Sequence, residues 1–253
     1  MTAERPTPAF GSLTTDEAEA ALRHGTVLLL PIGSLEAHGP HLPLDTDVII
    51  ARETARRARA LLVARGIPSY LLPHLAYARA DCAAAFPGTV SLAAEAVEAQ
   101  LDTITRALAP PGGPVLCLVN AHLEPDHIRA LQRAVERGVA GGCRAVFPDQ
   151  TRRPHVDRLG EEFRRGGGHA GGYETSLVMA AGGRVEESIR LSLPPNPVDL
   201  AAALRTGSPD FRALGGPRAY FGDPAAATCA EGERLYGILA SIVADAAAVA
   251  IGT

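Results

Sequence analysis

The sequence predicts an α/β fold of three layers, in which a mostly parallel sheet is flanked by helices. Short apolar runs alternate along the chain with amphipathic helical stretches, and this alternation is typical of a parallel sheet covered on both faces. The 253 residues are 47% hydrophobic and 21% charged, as in ordinary globular proteins. They contain no internal repeat and no linker of the kind that separates domains. We therefore predict a single domain over residues 1–253.

Each predicted element has its own local signal. The apolar runs predicted as strands are residues 26–31, 69–72, 115–119 and 144–147. The predicted helices are one from the capping box Thr14-x-x-Glu17 to Gly25, Asp47 to Ala64, Ser91 to Leu108, Pro125 to Arg137, one beginning near Gly172 and a C-terminal one capped by Thr228. Residues 184–222 contain several prolines and glycines and leave three interpretations open: a strand pair, a lid or an oligomer contact.

The composition excludes several classes of enzyme and partner. All 24 basic residues are arginine, which excludes Schiff-base enzymes, P-loop nucleotidases and Ser-Lys hydrolases because each needs a lysine amine. The net charge of −4 is spread without a basic block, so we expect no nucleic-acid partner. The four cysteines form no CxxC pair, and the N-terminal residues lack the apolar stretch of a signal peptide. We therefore expect a soluble, cytoplasmic protein without a membrane partner.

Titratable side chains crowd the segment that follows the first predicted strand. Residues 31–47 hold Glu36, His38, His41, Asp45 and Asp47. Because this segment begins at the carboxyl end of a strand, it lies where open α/β sheets place their ligands. Its glycines and prolines fix the path of the loop and so aim the side chains. Glu36 and His38 are two residues apart, so their side chains can converge in an extended loop.

Two further clusters combine a histidine with a carboxylate. His122 and Glu124 directly follow the third predicted strand, and His169 and Glu174 lie in a glycine-rich stretch. Clusters on neighbouring strands can face each other across one crevice. From spacing alone, three such pairs at the mouth of one sheet favour a metal or acid–base site over a structural role.

Structural interpretations of the individual residues stay open at this point. Any one of Asp45, Thr46 and Asp47 can cap the helix that begins there. Glu124 can be a first-turn acid favoured by the helix dipole, and His122 can be a hydrogen-bonded residue behind the site. We interpret His24, His74 and His155 as structural.

Taken together, the motifs resemble the signature of the creatininase family. Residues 33–47 read Gly-Ser-x-Glu-x-His-Gly-x-His-Leu-Pro-Leu-x-Thr-Asp, residues 86–92 read Phe-Pro-Gly-Thr-x-Ser-Leu, residues 120–124 read Asn-x-His-x-Glu and residues 169–176 read His-Ala-Gly-x-x-Glu-Thr-Ser. Each is similar to a segment of that family, and residues 222–233 resemble its C-terminal region. The resemblance extends from about residue 30 to about residue 250.

The resemblance implies a metal-dependent amidohydrolase with a centre of two divalent ions, Zn and/or Mn, whose shared hydroxide cleaves a C–N bond. It assigns one ion to Glu36, Asp47 and His122 and the other to His38, Asp47 and Glu124, with Asp47 bridging. The catalytic residues that it implies are His169, Glu174 and Glu124. His169 would carry a proton to the leaving nitrogen, and Glu174 would orient His169 or stabilise its charge. Backbone N–H groups of residues 166–168 would stabilise the oxyanion.

The chain departs from the creatinine-cleaving members of the family at a Trp-Asp pair, which falls here at Arg165-Gly166, and it contains no tryptophan. We therefore expect a small amide, lactam or formamide substrate other than creatinine and no aromatic wall over it. The nearby residues Arg152, Arg153, Arg164 and Arg165 either bind an anionic group of the substrate or form a solvated basic face.

Two alternatives to a small-amide hydrolase stay open. One is a hydrolase that trims a modified precursor peptide, and the other is a metal-binding scaffold without catalysis. The resemblance also implies a homo-oligomer, which in this family is usually a hexamer.

Overall fold

The sheet at the centre of the protein has four parallel strands. The computed structural model describes residues 9–166, 168–205 and 210–252. Within them the strands are β1 (Val27–Ile32), β2 (Ser69–Leu71), β3 (Val115–Asn120) and β4 (Ala145–Val146). Their order in the sheet is β2-β1-β3-β4. The predicted α/β fold is confirmed, and each predicted strand lies within about one residue of its expected bounds.

Ten α-helices are found in the described part of the chain. They are α1 (Thr15–Ala21), α2 (Thr46–Ala64), α3 (Ala94–Leu108), α4 (Pro125–Ala140), α5 (Arg153–Val156), α6 (Glu161–Arg164), α7 (Gly172–Ala180), α8 (Glu187–Ser192), α9 (Leu200–Leu204) and α10 (Cys229–Ile251). Both capping predictions are confirmed. Thr14 and Glu17 form a capping box at α1, and the Thr228 side chain accepts a hydrogen bond from the backbone N–H of Glu231 at α10.

Helices cover both faces of the sheet, which makes three layers. Leu28 and Leu30 of β1 lie in an apolar cluster with side chains of α3 and α4. Val27 and Leu29 point the other way, into a cluster with side chains of α2 and α10. Because β1 is buried on both faces, it appears in the sequence as a continuous apolar run rather than an alternating one.

Three local predictions need correction. Helix α1 ends at Ala21, four residues before Gly25. Helix α3 begins at Ala94 rather than near Ser91, because the Ser91 hydroxyl is used elsewhere: it accepts from the Ala80 N–H and donates to Asp81. The stretch 184–222 contains the short helices α8 and α9 and a single β-bridge between Asn196 and Gly222, with residues 206–209 outside the described part.

Helix α10 is the one helix in the described residues that is long and apolar enough to cross a membrane, with a mean hydropathy of 1.7. Its side chains are nevertheless packed inside the protein. Leu235 and Leu239 join the cluster around α7, and Val243 and Ala247 join the cluster beneath the sheet. These contacts are those of a core helix.

Candidate metal centre

The loops after β1 and β3 meet at the carboxyl ends of these two adjacent strands. A β-carbon at Gly33 would overlap the backbone of Val48, so only glycine lets the loop after β1 lie against the first turn of α2. This close approach places Asp47 of α2 beside the loop that carries Glu36 and His38. The edge of the sheet therefore gathers side chains from two strands and one helix, as expected for an open α/β sheet.

One group of donors joins the two loops. The Nδ1 atom of His122, after β3, lies 3.1 Å from Asp47 Oδ2 and 3.3 Å from Glu36 Oε2. One ligand atom from each of the three side chains lies within 4.8 Å of the others, close enough to share one metal ion. The structure thus brings together the three residues that the resemblance assigns to one ion, and their binding of that ion stays a prediction.

A second group surrounds His38. Its Nε2 atom lies 3.3 Å from Asp47 Oδ1, 3.5 Å from Glu174 Oε2 and 3.8 Å from Glu36 Oε1. One ligand atom from each of His38, Asp47 and Glu174 again lies within 4.8 Å of the others, close enough to share one ion. Asp47 belongs to both groups, which is the bridging position that the resemblance implies.

Backbone carbonyl groups fix the tautomers of the histidines. A carbonyl oxygen can only accept, so the ring nitrogen facing it must carry the proton. His38 Nδ1 lies 3.1 Å from its partner, the carbonyl oxygen of Glu36, and His122 Nε2 lies 2.7 Å from the carbonyl oxygen of Arg79. The other nitrogen of each ring is then left facing carboxylates, and His38 Nε2 is buried without a hydrogen-bond partner. Such second-layer bonds are typical of metal-binding histidines.

The electrostatics of the cluster favour a bound cation. Burial lowers the pKa of His38, but the carboxylates of Asp47 and Glu174 outweigh burial and raise the pKa to about 10. Burial opposes protonation of His122 as well, and Glu36 and Asp47 again raise its pKa well above the usual range. The negative charge of these carboxylates thus favours a proton on His38 Nε2 and on His122 Nδ1. A metal ion would bind at the same two nitrogen atoms.

The donor set also fits a metal ion in its chemistry. Glu36, Asp47 and Glu174 are buried together, and three carboxylates at one buried place need positive charge nearby. Imidazole nitrogens and carboxylate oxygens without thiolate suit Zn or Mn.

Glu124 lies apart from the donor groups just described. Its Oε2 atom accepts a hydrogen bond of 3.0 Å from the Cys82 N–H, and its Oε1 atom lies 3.8 Å from Arg79 Nε. Burial raises its pKa. Ligation of a metal ion by Glu124, which the resemblance implies, stays a prediction, and the structure brings Glu174 to His38 in its place.

The resemblance implies that Glu174 orients His169 or stabilises its charge, but the polar contacts of Glu174 are with other residues. Its Oε2 atom accepts a hydrogen bond of 2.6 Å from the Ala170 N–H and faces His38. Among the described side chains, no hydrogen bond or ion pair joins Glu174 to His169. Burial raises the pKa of Glu174 to about 8.

His169 lies beside the cluster with one nitrogen facing it. Its Nε2–H donates to the carbonyl oxygen of Ala37 at 3.0 Å, which leaves Nδ1 3.6 Å from Glu36 Oε1. Its ring packs between those of His38 and Phe211, with centroid distances of 4.5 and 4.4 Å. Burial and the charge of His38 lower its pKa to about 4.

Two titratable residues of the first motif are not part of the cluster. His41 Nε2 is hydrogen-bonded to the hydroxyl of Thr175 at 3.0 Å. Asp45 occupies the N-cap position of α2 but makes no side-chain cap bond there. The capping interpretation is also wrong for Asp47, whose carboxylate faces His38 and His122.

A cleft of about 870 Å³ leads outward from the cluster. The absence of tryptophan does not leave it without aromatic side chains, because Phe163 and Phe211 line it. No sequence motif points to Phe211, which lies within the poorly patterned stretch 184–222. Of the glycines expected to bind an oxyanion, Gly167 lies outside the described residues, so that prediction stays open.

Comparisons with known proteins agree with this geometry. The sequence model of the creatininase family, which is described as creatinine amidohydrolase, matches residues 11–247. The mycofactocin precursor peptide peptidase of Mycobacterium tuberculosis (strain ATCC 25618 / H37Rv) is 32% identical over 248 residues, covering 93% of this chain and 90% of that protein. The creatinine amidohydrolase of Pseudomonas putida is 33% identical over 115 residues, which is 45% of this chain and 44% of that protein.

A solved structure of creatininase described with Mn has a similar fold, with a TM-score of 0.70, 24% identity and coverage of 93% of this chain and 95% of that chain. Sequence and fold thus match over nearly the whole chain, and the matched motifs converge on one buried cluster of donors. We conclude that this chain belongs to the creatininase family of metal-dependent amide hydrolases.

Proposed function

We propose that this protein is a metallopeptidase that trims a precursor peptide by hydrolysing a backbone amide bond. The observation that carries the proposal is the cleft, whose volume of about 870 Å³ lies near the upper end of the range of small-molecule pockets. A single five-membered ring would leave most of this space empty, whereas several residues of a peptide would occupy it.

The relatives support a peptide substrate. The mycobacterial protein named as a precursor peptide peptidase aligns with 93% of this chain, whereas the protein named as a creatinine amidohydrolase aligns with 45% of it.

Two divalent ions, Zn and/or Mn, are part of the proposal. Glu36, Asp47 and His122 would hold one, and His38 and Asp47 would hold the other together with Glu174 or Glu124. When bound, such ions polarise the scissile carbonyl and lower the pKa of water. The protein contributes the fixed positions of these donors and a buried site that excludes bulk water.

His169 supplies proton transfer in this proposal. Hydrolysis adds OH to the carbonyl carbon and H to the leaving nitrogen, because an amide anion is too poor a leaving group. The Nδ1 atom of His169 faces the cluster, while its Nε2–H is held by the Ala37 carbonyl. The ring is therefore oriented to take a proton at Nδ1 and pass it to the leaving nitrogen.

The proposal also includes a cytoplasmic location and a homo-oligomer. All four cysteines lie in the described part of the chain and are unpaired, which supports a reducing compartment. Light scattering of the purified protein tests the oligomer: a mass of 26.3 kDa, that of one chain, would contradict it.

The experiment that tests the activity compares substrates directly. The purified protein is loaded with Zn or Mn, its metal content is measured, and it is incubated separately with defined decapeptides, creatinine, a lactam and a formamide. We expect about two ions per chain, as in two-metal hydrolases, and shortened peptides by mass spectrometry. Hydrolysis of the small amides without peptide products would contradict the peptide substrate. Fully loaded protein without any product would favour the non-catalytic scaffold.

A further inference from the structure

The outer part of the cleft differs in charge from the metal centre. Four arginine side chains line it: Arg129, Arg153, Arg164 and Arg205. They come from α4, α5, α6 and the end of α9, so the fold brings together cations that are far apart in sequence. The inner part of the same cleft is lined by the carboxylates of Glu36, Asp47 and Glu174.

The arginines differ in whether they already have a partner. Arg129 is paired with Asp126, and Arg164 is paired with Glu161. Arg153 and Arg205, by contrast, form no ion pair or side-chain hydrogen bond with any residue that the structure describes.

Two aspartates also line the outer cleft, and they do not neutralise both free arginines. Asp149 accepts hydrogen bonds from the side chains of Gln132 and Thr151 and from the Thr151 N–H. Asp157 is the other carboxylate of the outer lining, since Glu124, which also lines the cleft, is bonded to the Cys82 N–H beside the metal centre. Asp157 alone cannot pair with both Arg153 and Arg205. The outer cleft therefore keeps N–H donors for an anionic ligand.

We propose that Arg153 and Arg205 form a subsite that binds a carboxylate of the substrate at a distance from the scissile amide. A guanidinium presents its N–H groups as a fork that matches the two oxygens of a carboxylate. The inference rests on the proposed peptide substrate and adds which part of the peptide is recognised. The carboxylate belongs either to the C-terminus of the peptide or to an aspartate or glutamate side chain.

The neighbouring arginines provide matched controls. The Arg152 side chain is 72% exposed, lies 4.0 Å from Asp149 and does not line the cleft. Arg165 is 71% exposed and is bonded to Glu161 outside the cleft. Substituting Arg152 changes the net charge by the same amount as substituting Arg153, one residue away.

The test measures binding of labelled peptides to the full chain as purified. The probes are fluorescein-labelled hexapeptides of alanine and glycine with one Asp or one Asn, each with a free or an amidated C-terminus. Fluorescence anisotropy gives Kd, and mass spectrometry verifies that the peptide is intact. We expect the peptides with a carboxylate to bind about tenfold more tightly than the neutral peptide. This preference should disappear in Arg153→Gln and in Arg205→Gln and persist in Arg152→Gln.

The result also identifies the source of the carboxylate. Loss of tight binding on amidation identifies the C-terminus, and loss on replacing Asp by Asn identifies the side chain. Equal binding of charged and neutral peptides, no binding of any probe, or the same loss in Arg152→Gln would overturn the subsite. Peptide cleavage without a carboxylate preference refutes the subsite alone, whereas a preference without cleavage refutes the peptidase proposal alone.

Discussion

The two ends of the cleft are built in opposite ways. At the inner end, buried carboxylates and imidazoles come from the loops after β1 and β3 and from the first turns of α2 and α7, and backbone carbonyls fix the histidine rings. At the outer end, Arg153 and Arg205 are exposed side chains of short helices. Amide hydrolysis needs fixed positions because small displacements of reacting groups cost rate. Recognition of a peptide tolerates mobile side chains, since charge acts over a longer distance.

The difference is also visible in the charges. Burial raises the pKa of Asp47, but His38 and His122 reverse this and hold it well below its usual range. Asp47 is thus kept ionised by its buried partners, whereas burial raises the pKa of the neighbouring Glu174 to about 8. The arginines at the outer end need no such partner, because water solvates an exposed guanidinium. Substitutions at the inner end should therefore change the metal content and the turnover rate. Substitutions of the arginines at the outer end should change the affinity for the substrate.

Asp47→Asn should have the largest effect, because Asp47 is shared by both donor groups. We expect turnover to fall below detection and the metal content to fall with it, while the fold survives because the apolar clusters around the sheet do not include Asp47. Metal analysis, a turnover assay and circular dichroism measure the three quantities.

The same variant separates the two ends of the cleft. Because Arg153 and Arg205 are untouched, the labelled peptides with a carboxylate should keep their preference over the neutral peptide in Asp47→Asn. Retention of full metal content in this variant would contradict the bridging position, and loss of the carboxylate preference would show that the two ends are not independent.

His169→Ala should have the next largest effect. The Nδ1 atom of His169 lies 3.6 Å from Glu36 Oε1, and its Nε2–H donates to the carbonyl oxygen of Ala37. We assign His169 to proton transfer. We expect kcat to fall by about a hundred- to ten-thousandfold, with metal content and peptide affinity close to those of the unsubstituted protein. Phe211→Leu is the control, because it removes the ring that packs on His169 and leaves the imidazole. Unchanged kcat in His169→Ala would remove this residue from the mechanism.

Much of the inner end could be predicted from the sequence. Glu36, His38 and Asp47 lie in one motif directly after an apolar run, and His122 follows the adjacent strand. The parallel sheet brings two such strand ends together, so local patterns and one rule of topology suffice. The tautomers were not predictable, because the carbonyl groups that fix them depend on the folded paths of the loops around Glu36 and Arg79.

The outer end had much weaker signals. Arg153 and Arg165 are equivalent in the sequence, yet Arg153 lines the cleft and Arg165 points to solvent. Which side of a four-residue helix faces the cleft depends on packing between distant segments. Arg205 and Phe211 come from a stretch whose prolines and glycines give no periodic pattern. Contacts of this kind exist only in the folded chain.

The smallest of these effects concerns the carboxylate beside His38. Glu174 Oε2 lies 3.5 Å from His38 Nε2, whereas the resemblance assigns this ligand position to Glu124. We expect Glu174→Gln to weaken binding of one ion by about ten- to a hundredfold, as when a partner of a metal ligand is removed. Titration of the metal-depleted protein with Zn, followed by calorimetry, measures this affinity.

Glu124→Gln, measured in parallel, decides between the two carboxylates. The resemblance predicts that Glu124→Gln weakens binding of the ion next to His38. If only Glu174→Gln weakens binding, Glu124 keeps its bond to the Cys82 N–H when metal is bound and is no ligand. If only Glu124→Gln does so, the Glu124 side chain turns toward the cluster on metal binding, with its second oxygen free to keep the Cys82 N–H, and Glu174 acts on His38 through its charge alone. The inner end would then be less rigid than its contacts indicate, and its contrast with the outer end correspondingly smaller.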